Sequence, residues 1–215
     1  MIKNIIWINT LPSTNNYVKS AHKTLGDGDL VSVDYQTKGK GQKGKNLLFS
    51  FLLKGPVKSD RGVMFKTLIS VLNVLKKKGI DAKIKLPNDL LVDKRKITGI
   101  LVERVHQEES YLVVGVGLNV NEIFNLNERT SMKMECDKSF NRKALLHDFV
   151  REYNHFDESL IIEAIKKYLV YPKTIWWGQD IVELVSLTQN FKAKLTFKGE
   201  SHTLDLAELK FDYSV

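Results

Sequence analysis

The chain has 215 residues, 43% of them hydrophobic and 27% charged, enough for one substantial core and a small second module. Its formal charge of +8 favours anionic small molecules or acidic partners, and its single cysteine, Cys136, excludes an internal disulfide framework or a Cys-rich metal site. No apolar run is long enough to span a bilayer, and no small-residue cleavage site follows the short apolar start, so a soluble, cytoplasmic protein with no membrane partner is expected.

In chain order, "NIIWIN" (4–9) reads as a strand bounded by Leu11-Pro12, and "STNNYVKSAHKTL" reads as a helix with Ser13 or Thr14 as its N-cap. Asp27-Gly28 turns the chain into "LVSVDYQT" (30–37), whose apolar positions 31, 33 and 35 alternate as in a half-buried strand. The glycine-lysine run "KGKGQKGK" follows, and then "NLLFSFLL", apolar enough for a strand covered on both faces. "SDRGVMFKTLISVLNVLKKKG" is a helix with its stripe at Met64, Leu68, Val71, Leu72 and Leu75, lysines in its last turn and Gly79 as its stop. "AKIKL" is a short strand ending at Pro87-Asn88-Asp89, and strands near 96–103 and 110–117 are joined by "HQEE". Residues 141–170 read as two helical pieces, broken by Tyr171-Pro172. "IVELVSL", "KAKLTFKG" and "SHTLDLAEL" then alternate as in a small antiparallel module. The expectation is an α/β (α+β) domain over 1–172, a mixed sheet with helices packed on it, and a small β domain over 173–215.

Three clusters could carry chemistry, each with a plainer alternative. The glycine-lysine loop can offer backbone N–H groups and ammonium groups to an anion, or be a solvated hairpin. "KLPNDLLVDKRKITGILVE" (85–103) places Asn88 and Asp89 past a strand end and Lys96 three residues before Gly99, where a glycine in a β pattern marks a bulge or a close approach. "VVGVGLNVN" (113–121) spends two glycines in a buried strand, for ligand access or for tight sheet packing. His22, His106, His147, His155 and His202 show no paired ligand spacing, so no protein-built metal site is expected. Neither a zinc-finger spacing, an RNA-module aromatic signature nor a clear helix-turn-helix ahead of residue 13 is present, and nucleic acid is not an expected partner.

Taken together and in order, "STN", "YQTKGKGQKG", "KLPNDLLVDKRKITGILVE" and "VGVGLNVN" resemble the signatures of the biotin protein ligases. The resemblance covers roughly residues 4–170 and implies a class II synthetase-like catalytic domain followed by an SH3-like β domain. It also implies the activity: biotin and ATP give biotinyl-5′-adenylate with Mg²⁺, and biotin then passes to a lysine of a biotin carboxyl carrier domain. By that similarity Ser13, Thr14 and Asn15 meet the ureido head of biotin, with Gln36 beside the ring system. Gly39, Lys40, Gly41 and Gln42 wrap its bicycle and chain, and Gly99, Leu101 and Gly115 line its pocket. Lys96 is the catalytic cation between carboxylate and α-phosphate, reaching both biotin and nucleotide. Lys40, Asn88, Gly117, Leu118 and Asn119 face the nucleotide, and Asp89 either orients the acceptor lysine or helps to hold Mg²⁺. The glycine-lysine loop is then a lid that closes over the adenylate.

The chain departs from that pattern in three places. Gly44 runs almost directly into "KNLLFS", without the family's intervening tryptophan segment; Gln42 stands where many members have a phosphate-contacting arginine; and Leu86 replaces the tryptophan of K-W-P-N-D. Two other readings compete: a lipoate or octanoate ligase or transferase, whose R-R-x-x-G-G-G motif is absent here, and a biotin binder without catalysis.

Overall fold

The computed structural model describes residues 1–38, 44–57, 59–107, 109–125 and 128–213. The first strand, β1 (Asn4–Leu11), is followed by a seven-residue helix, α1 (Thr14–Ser20), and by β2 (Asp29–Gln36), which lies parallel to β1. A helix between two strands is the connection that parallel neighbours require. The expected helix to Leu25 is shorter than read: Ser13 caps it as foreseen, but it closes at Ala21, and a turn leads to Leu25.

Five strands complete the larger sheet: β3 (Leu47–Lys54), β4 (Lys83–Lys85), β5 (Asp89–Val92), β6 (Arg95–Val105) and β7 (Tyr111–Leu118). Their order is β1-β2-β3-β7-β6-β5-β4, antiparallel at every pairing except β1–β2. β5, unforeseen in the sequence, joins β6 through a tight turn at Asp93 and Lys94, both with positive φ, as a two-residue hairpin demands. A register shift opposite Leu90 and Leu91 leaves Ile97 as the extra residue of β6, so the bulge sits two residues before Gly99.

Period-two alternation gives β3 two lives. Leu47, Phe49, Phe51 and Leu53 enter the main core, while Leu48 and Leu52 enter a second cluster with Val18, Val31, Val33 and Val113. Ser50 is the one polar residue among the buried positions of that strand, and it is fully enclosed. The main-core face is covered by α2 (Asp60–Lys77), α4 (Arg142–His155) and α5 (Ile161–Tyr168). α2 ends in paired bonds from Gly79 N to Lys76 O and Ile80 N to Leu75 O, with Gly79 left-handed as its stop. A short helix, α3 (Met132–Cys136), follows β7 and buries Met132. Among the described residues α1 is the one helix on the opposite face, where it covers part of the sheet.

The remaining strands, β8 (Thr174–Trp177), β9 (Asp180–Leu187), β10 (Ala193–Phe197), β11 (Glu200–Leu204) and β12 (Leu209–Asp212), form a five-stranded antiparallel sheet ordered β11-β10-β9-β8-β12. β8 and β12, not foreseen, pair with each other at one end of this sheet, and β8 pairs with β9 on its other side. Phe191, ahead of β10, packs its ring 5.5 Å from Phe65 of α2, and Arg61 forms an ion pair with Asp205, so one continuous core runs through both sheets. This is the class II synthetase-like sheet with its SH3-like companion. Among the described residues no helix is long and apolar enough to cross a membrane.

Candidate ligand site on the open sheet face

The uncovered part of the sheet is bounded by the start of α1, the end of β2, and the β6–β7 pair. Opposing glycines mark it: Gly99 faces Gly117 across that pair, and Leu101 faces Gly115. Leu101 is 52% exposed, an unusual state for a leucine in a central strand. The three glycines do different work. A Cβ on Gly115 would stand 2.1 Å from Asn15 Oδ1, so the Asn15 carboxamide lies directly on the backbone of β7. A Cβ on Gly99 would stand 2.9 Å from Lys96 Nζ and 3.1 Å from Asp89 Oδ1. Gly117 meets only Leu48 Cδ2, at 3.6 Å, so its missing side chain leaves space above the sheet.

Lys96 brings an ammonium to this face beside Gly99. Its Nζ lies 2.5 Å from Asp89 Oδ1, an oxygen that is buried and takes no other hydrogen bond among the described residues. The Lys96 side chain is 43% exposed against 19% for that of Asp89, so the pair opens on the lysine side. The bulge at Ile97 and backbone bonds from Lys96 N to Glu128 O and Thr130 N to Lys96 O fix the lysine's main chain.

At the other end, Thr14 N donates to Gln36 Oε1 at 2.8 Å, which ties the start of α1 to the end of β2 and orients the Gln36 carboxamide. Ser13 Oγ accepts from Asn16 N at 3.4 Å as the N-cap. Behind them stands a hydrogen-bonded row: Ser50 Oγ lies 2.7 Å from Thr14 Oγ1 and 2.5 Å from Asn15 Oδ1. Asn15 Nδ2 donates to Glu103 Oε2 at 2.8 Å, and Lys19 Nζ holds Glu103 Oε1 at 2.5 Å. Burial pushes the Glu103 carboxyl up, but hydrogen bonds from Lys19 and Asn15 outweigh it and hold the group below its ordinary value.

Several expected contacts take a different form. Asn15 is buried and spends both ends of its carboxamide on Ser50 and Glu103, so it supports the site rather than lining it. Asn119 gives both amide protons to carbonyls, Lys96 O at 3.2 Å and Thr130 O at 3.0 Å, which leaves only its oxygen for a ligand. Asn88 Nδ2 donates to Ile100 O at 2.7 Å. The Leu118 side chain is buried in the main core, because strand alternation sends it to the face opposite Gly117. Gly39, Lys40, Gly41 and Gln42, with the closing lid, lie outside the described residues.

Three residues were missed. Ser50 is the one polar interruption of an apolar strand, Glu103 shares the Gly99 and Leu101 face by period two, and Arg142 braces the ends of β2 and β3. The Arg142 guanidinium reaches Val33 O, Asp34 O and Asn46 O at 3.5, 3.4 and 3.2 Å and pairs with Asp34 Oδ1 at 2.6 Å.

A mixed sheet with a helix start, a bare-backbone floor and a carboxylate-paired ammonium on its open face has the class II synthetase-like form expected from the sequence. Residues 7–121 match the biotin/lipoate A/B protein ligase family, and the chain belongs to that family, among its biotin protein ligases. It is 31% identical to biotin–protein ligase 2 of Arabidopsis thaliana over 202 residues, covering 83% of this chain and 60% of that protein. It is 29% identical to the bifunctional ligase/repressor BirA of Escherichia coli over 177 residues, covering 74% of this chain and 55% of that protein. The chain thus spans little more than half the length of these curated relatives. Its fold matches the Aquifex aeolicus biotin protein ligase solved with biotin and ATP, at a TM-score of 0.82 and 23% identity over 99% of this chain and all of that one.

Proposed function

We propose that the chain is an ATP-dependent biotin protein ligase. A biotin carboxylate oxygen attacks the α-phosphorus of ATP, the α–β phosphoanhydride bond breaks, and pyrophosphate leaves biotinyl-5′-AMP. The neutral ε-amine of a carrier-domain lysine then attacks the acyl carbon, AMP departs with the bonding pair, and loss of the amine proton gives the amide. Two anions have to meet in the first step, and fixed cations and donors lower that barrier.

The observation that carries this reading is the Lys96 ammonium, held by Asp89 over the bare backbone of Gly99 on the sheet face that also bears Thr14 and Gln36. Lys96 bridges the acid end of biotin and the α-phosphate. Ser13, Thr14 and Gln36 take the ureido head, with Gly115 seating Asn15 behind them, and the bare backbone at Gly117 with Leu101 accepts the bicycle and chain. Asn119 reaches the nucleotide through its side-chain oxygen and Leu118 through its backbone alone, while Asn88 shapes the strand beside it. Asp89 orients Lys96 and stands ready for the acceptor amine. Among the described residues no three metal-ligating side chains gather, and the nearest carboxylate oxygen already faces an ammonium. That donor set suits Mg²⁺ arriving with the triphosphate rather than in a protein-built cage, with charge neutralisation as its contribution.

Incubation of the purified chain with biotin, ATP, Mg²⁺ and an apo biotin carboxyl carrier domain tests the reading. A mass gain of one biotinyl group on the carrier, with pyrophosphate release, is expected. Labelling by octanoate or lipoate instead would move the chain to the lipoyl branch, and biotin binding without pyrophosphate release would make it a binder.

A further inference from the structure

The hydrogen-bonded row behind the head-group subsite has a direction, and chemistry alone sets it. Glu103 is an ionised carboxylate paired with Lys19, so its oxygens only accept. The group of Asn15 that faces Glu103 Oε2 at 2.8 Å must therefore be the amide NH₂, and the group that faces Ser50 at 2.5 Å must be the carbonyl oxygen. A carbonyl has no proton to give, so Ser50 spends its one hydroxyl proton on Asn15. The Thr14 and Ser50 oxygens are 2.7 Å apart, and the proton between them can then come only from Thr14. Thr14 is left with no proton for a ligand and with lone pairs to receive one. Ser50 and Thr14 are both buried, so solvent does not scramble this order.

From this we propose that Glu103, acting through Asn15 and Ser50, is the positioning residue that fixes the Thr14 hydroxyl as an obligate hydrogen-bond acceptor, and so selects a ligand that presents an N–H there. The proposal rests on biotin as the substrate, whose cyclic urea carries N–H groups where an oxygen or sulfur isostere carries none. It also explains why a buried strand keeps a serine among leucines and phenylalanines, at a site where alanine would pack as well.

Glu103→Gln tests the direction without removing volume. Lys19 can only donate, so it holds the new carboxamide by its oxygen and turns the amide NH₂ toward Asn15. Asn15 must then present its oxygen to residue 103 and its NH₂ to Ser50. The Ser50 proton swings to Thr14, and Thr14 becomes a donor toward the ligand. Every hydrogen bond of the row survives with its polarity reversed.

The probes are biotin and its two isomeric carbamates, in each of which one ureido N–H is replaced by a ring oxygen, titrated calorimetrically into the wild type and the variant. In the wild type one carbamate should bind about tenfold or more weakly than biotin, since it sets two acceptors face to face. In Glu103→Gln that ratio should fall to about one or invert, with biotin weakened and the carbamate strengthened. Equal loss of affinity for biotin and both carbamates, or no change in either, would overturn the proposal, because a merely structural role lowers all three together. Ser50→Ala, which frees the Thr14 proton, should compress the same ratio, and an unchanged ratio in that variant also counts against the idea. Wild-type protein that binds no biotin sinks the ligase reading itself, which separates that failure from failure of the relay.

Discussion

The closest approach on the open sheet face makes a quantitative demand. Gly115→Ala places a methyl 2.1 Å from Asn15 Oδ1, 2.8 Å from its Cγ and 2.9 Å from its Nδ2. A free side-chain end could swing away, but this carboxamide is tied at both ends, to Ser50 and to Glu103. The methyl must therefore either distort β7 or expel Asn15 and break the row. Overpacking costs about 1–3 kcal/mol and each buried partner left unpaired about 1–3 kcal/mol, against about 0.5–1 kcal/mol regained by replacing a strand glycine. The net expectation is a loss of about 2–4 kcal/mol, or roughly 4–16 °C in Tm for a chain of this length. Gly117→Ala is the internal control: its methyl meets Leu48 Cδ2 at an ordinary 3.6 Å, and the fold should change by less than about 0.5 kcal/mol. Urea unfolding of the two variants beside the wild type measures both, with an unchanged m-value as the sign that only stability moved. Should the two variants unfold at the same midpoint, the close packing of Asn15 on β7 is wrong.

Lys96→Ala should retain the circular dichroism of the wild type while slowing adenylate formation by about 10²–10³-fold or more, followed as biotin-dependent pyrophosphate release; an unaltered rate removes Lys96 from its role. The acid side of the stability profile should report Glu103. Its carboxyl is held below the ordinary 4.5, so its contribution is complete above that value and fades as pH falls through the lower folded value. The Tm gap between wild type and Glu103→Gln should accordingly narrow below pH 4.5, and a gap that widens there contradicts the ion pair with Lys19. Burial, assisted by the nearby Asp89 charge, pushes the Tyr213 phenol up to about 12 although Leu86 N donates to it at 3.1 Å; in an alkaline absorbance titration the step that Tyr213→Phe removes should be a late one, and loss of an early step contradicts the burial. Phe191→Ala should cost about 3–5 kcal/mol through the cavity left against Phe65, and calorimetry should still show one transition, since both sheets share a core. Two resolved transitions would contradict that shared core.

What the sequence made legible was local. The apolar run of β3, the stripe and glycine stop of α2, and the mixed pairing around a helical crossover all follow from periodicity and caps, and the structure carries each of them. Short strands were not legible: β5 hides behind its Pro-Asn-Asp turn, and the four-residue β8 and β12 depend on pairing with each other and, for β8, with β9. The site divides the same way. Lys96, Asp89 and Gly99 sit within eleven residues of sequence, and their spacing on a hairpin brings them together. The Thr14–Ser50–Asn15–Glu103 row joins residues 36, 35 and 88 positions apart, and no local pattern reveals such partners. Leu118, by contrast, follows from alternation alone: one position on from Gly117, its side chain turns into the core and only its backbone is left to the open face.

The guanidinium of Arg142 clasps carbonyls at the close of β2 and just ahead of β3, so the two strand ends are stapled to α4 independently of whatever chain joins them. Strand pairing from Leu30–Phe51 to Val33–Leu48 then keeps its alignment when residues are gained or lost in the connection, whose closure entropy changes only slowly with length. Residues can be added to, removed from or exchanged in that connection while the sheet beneath it stays in step.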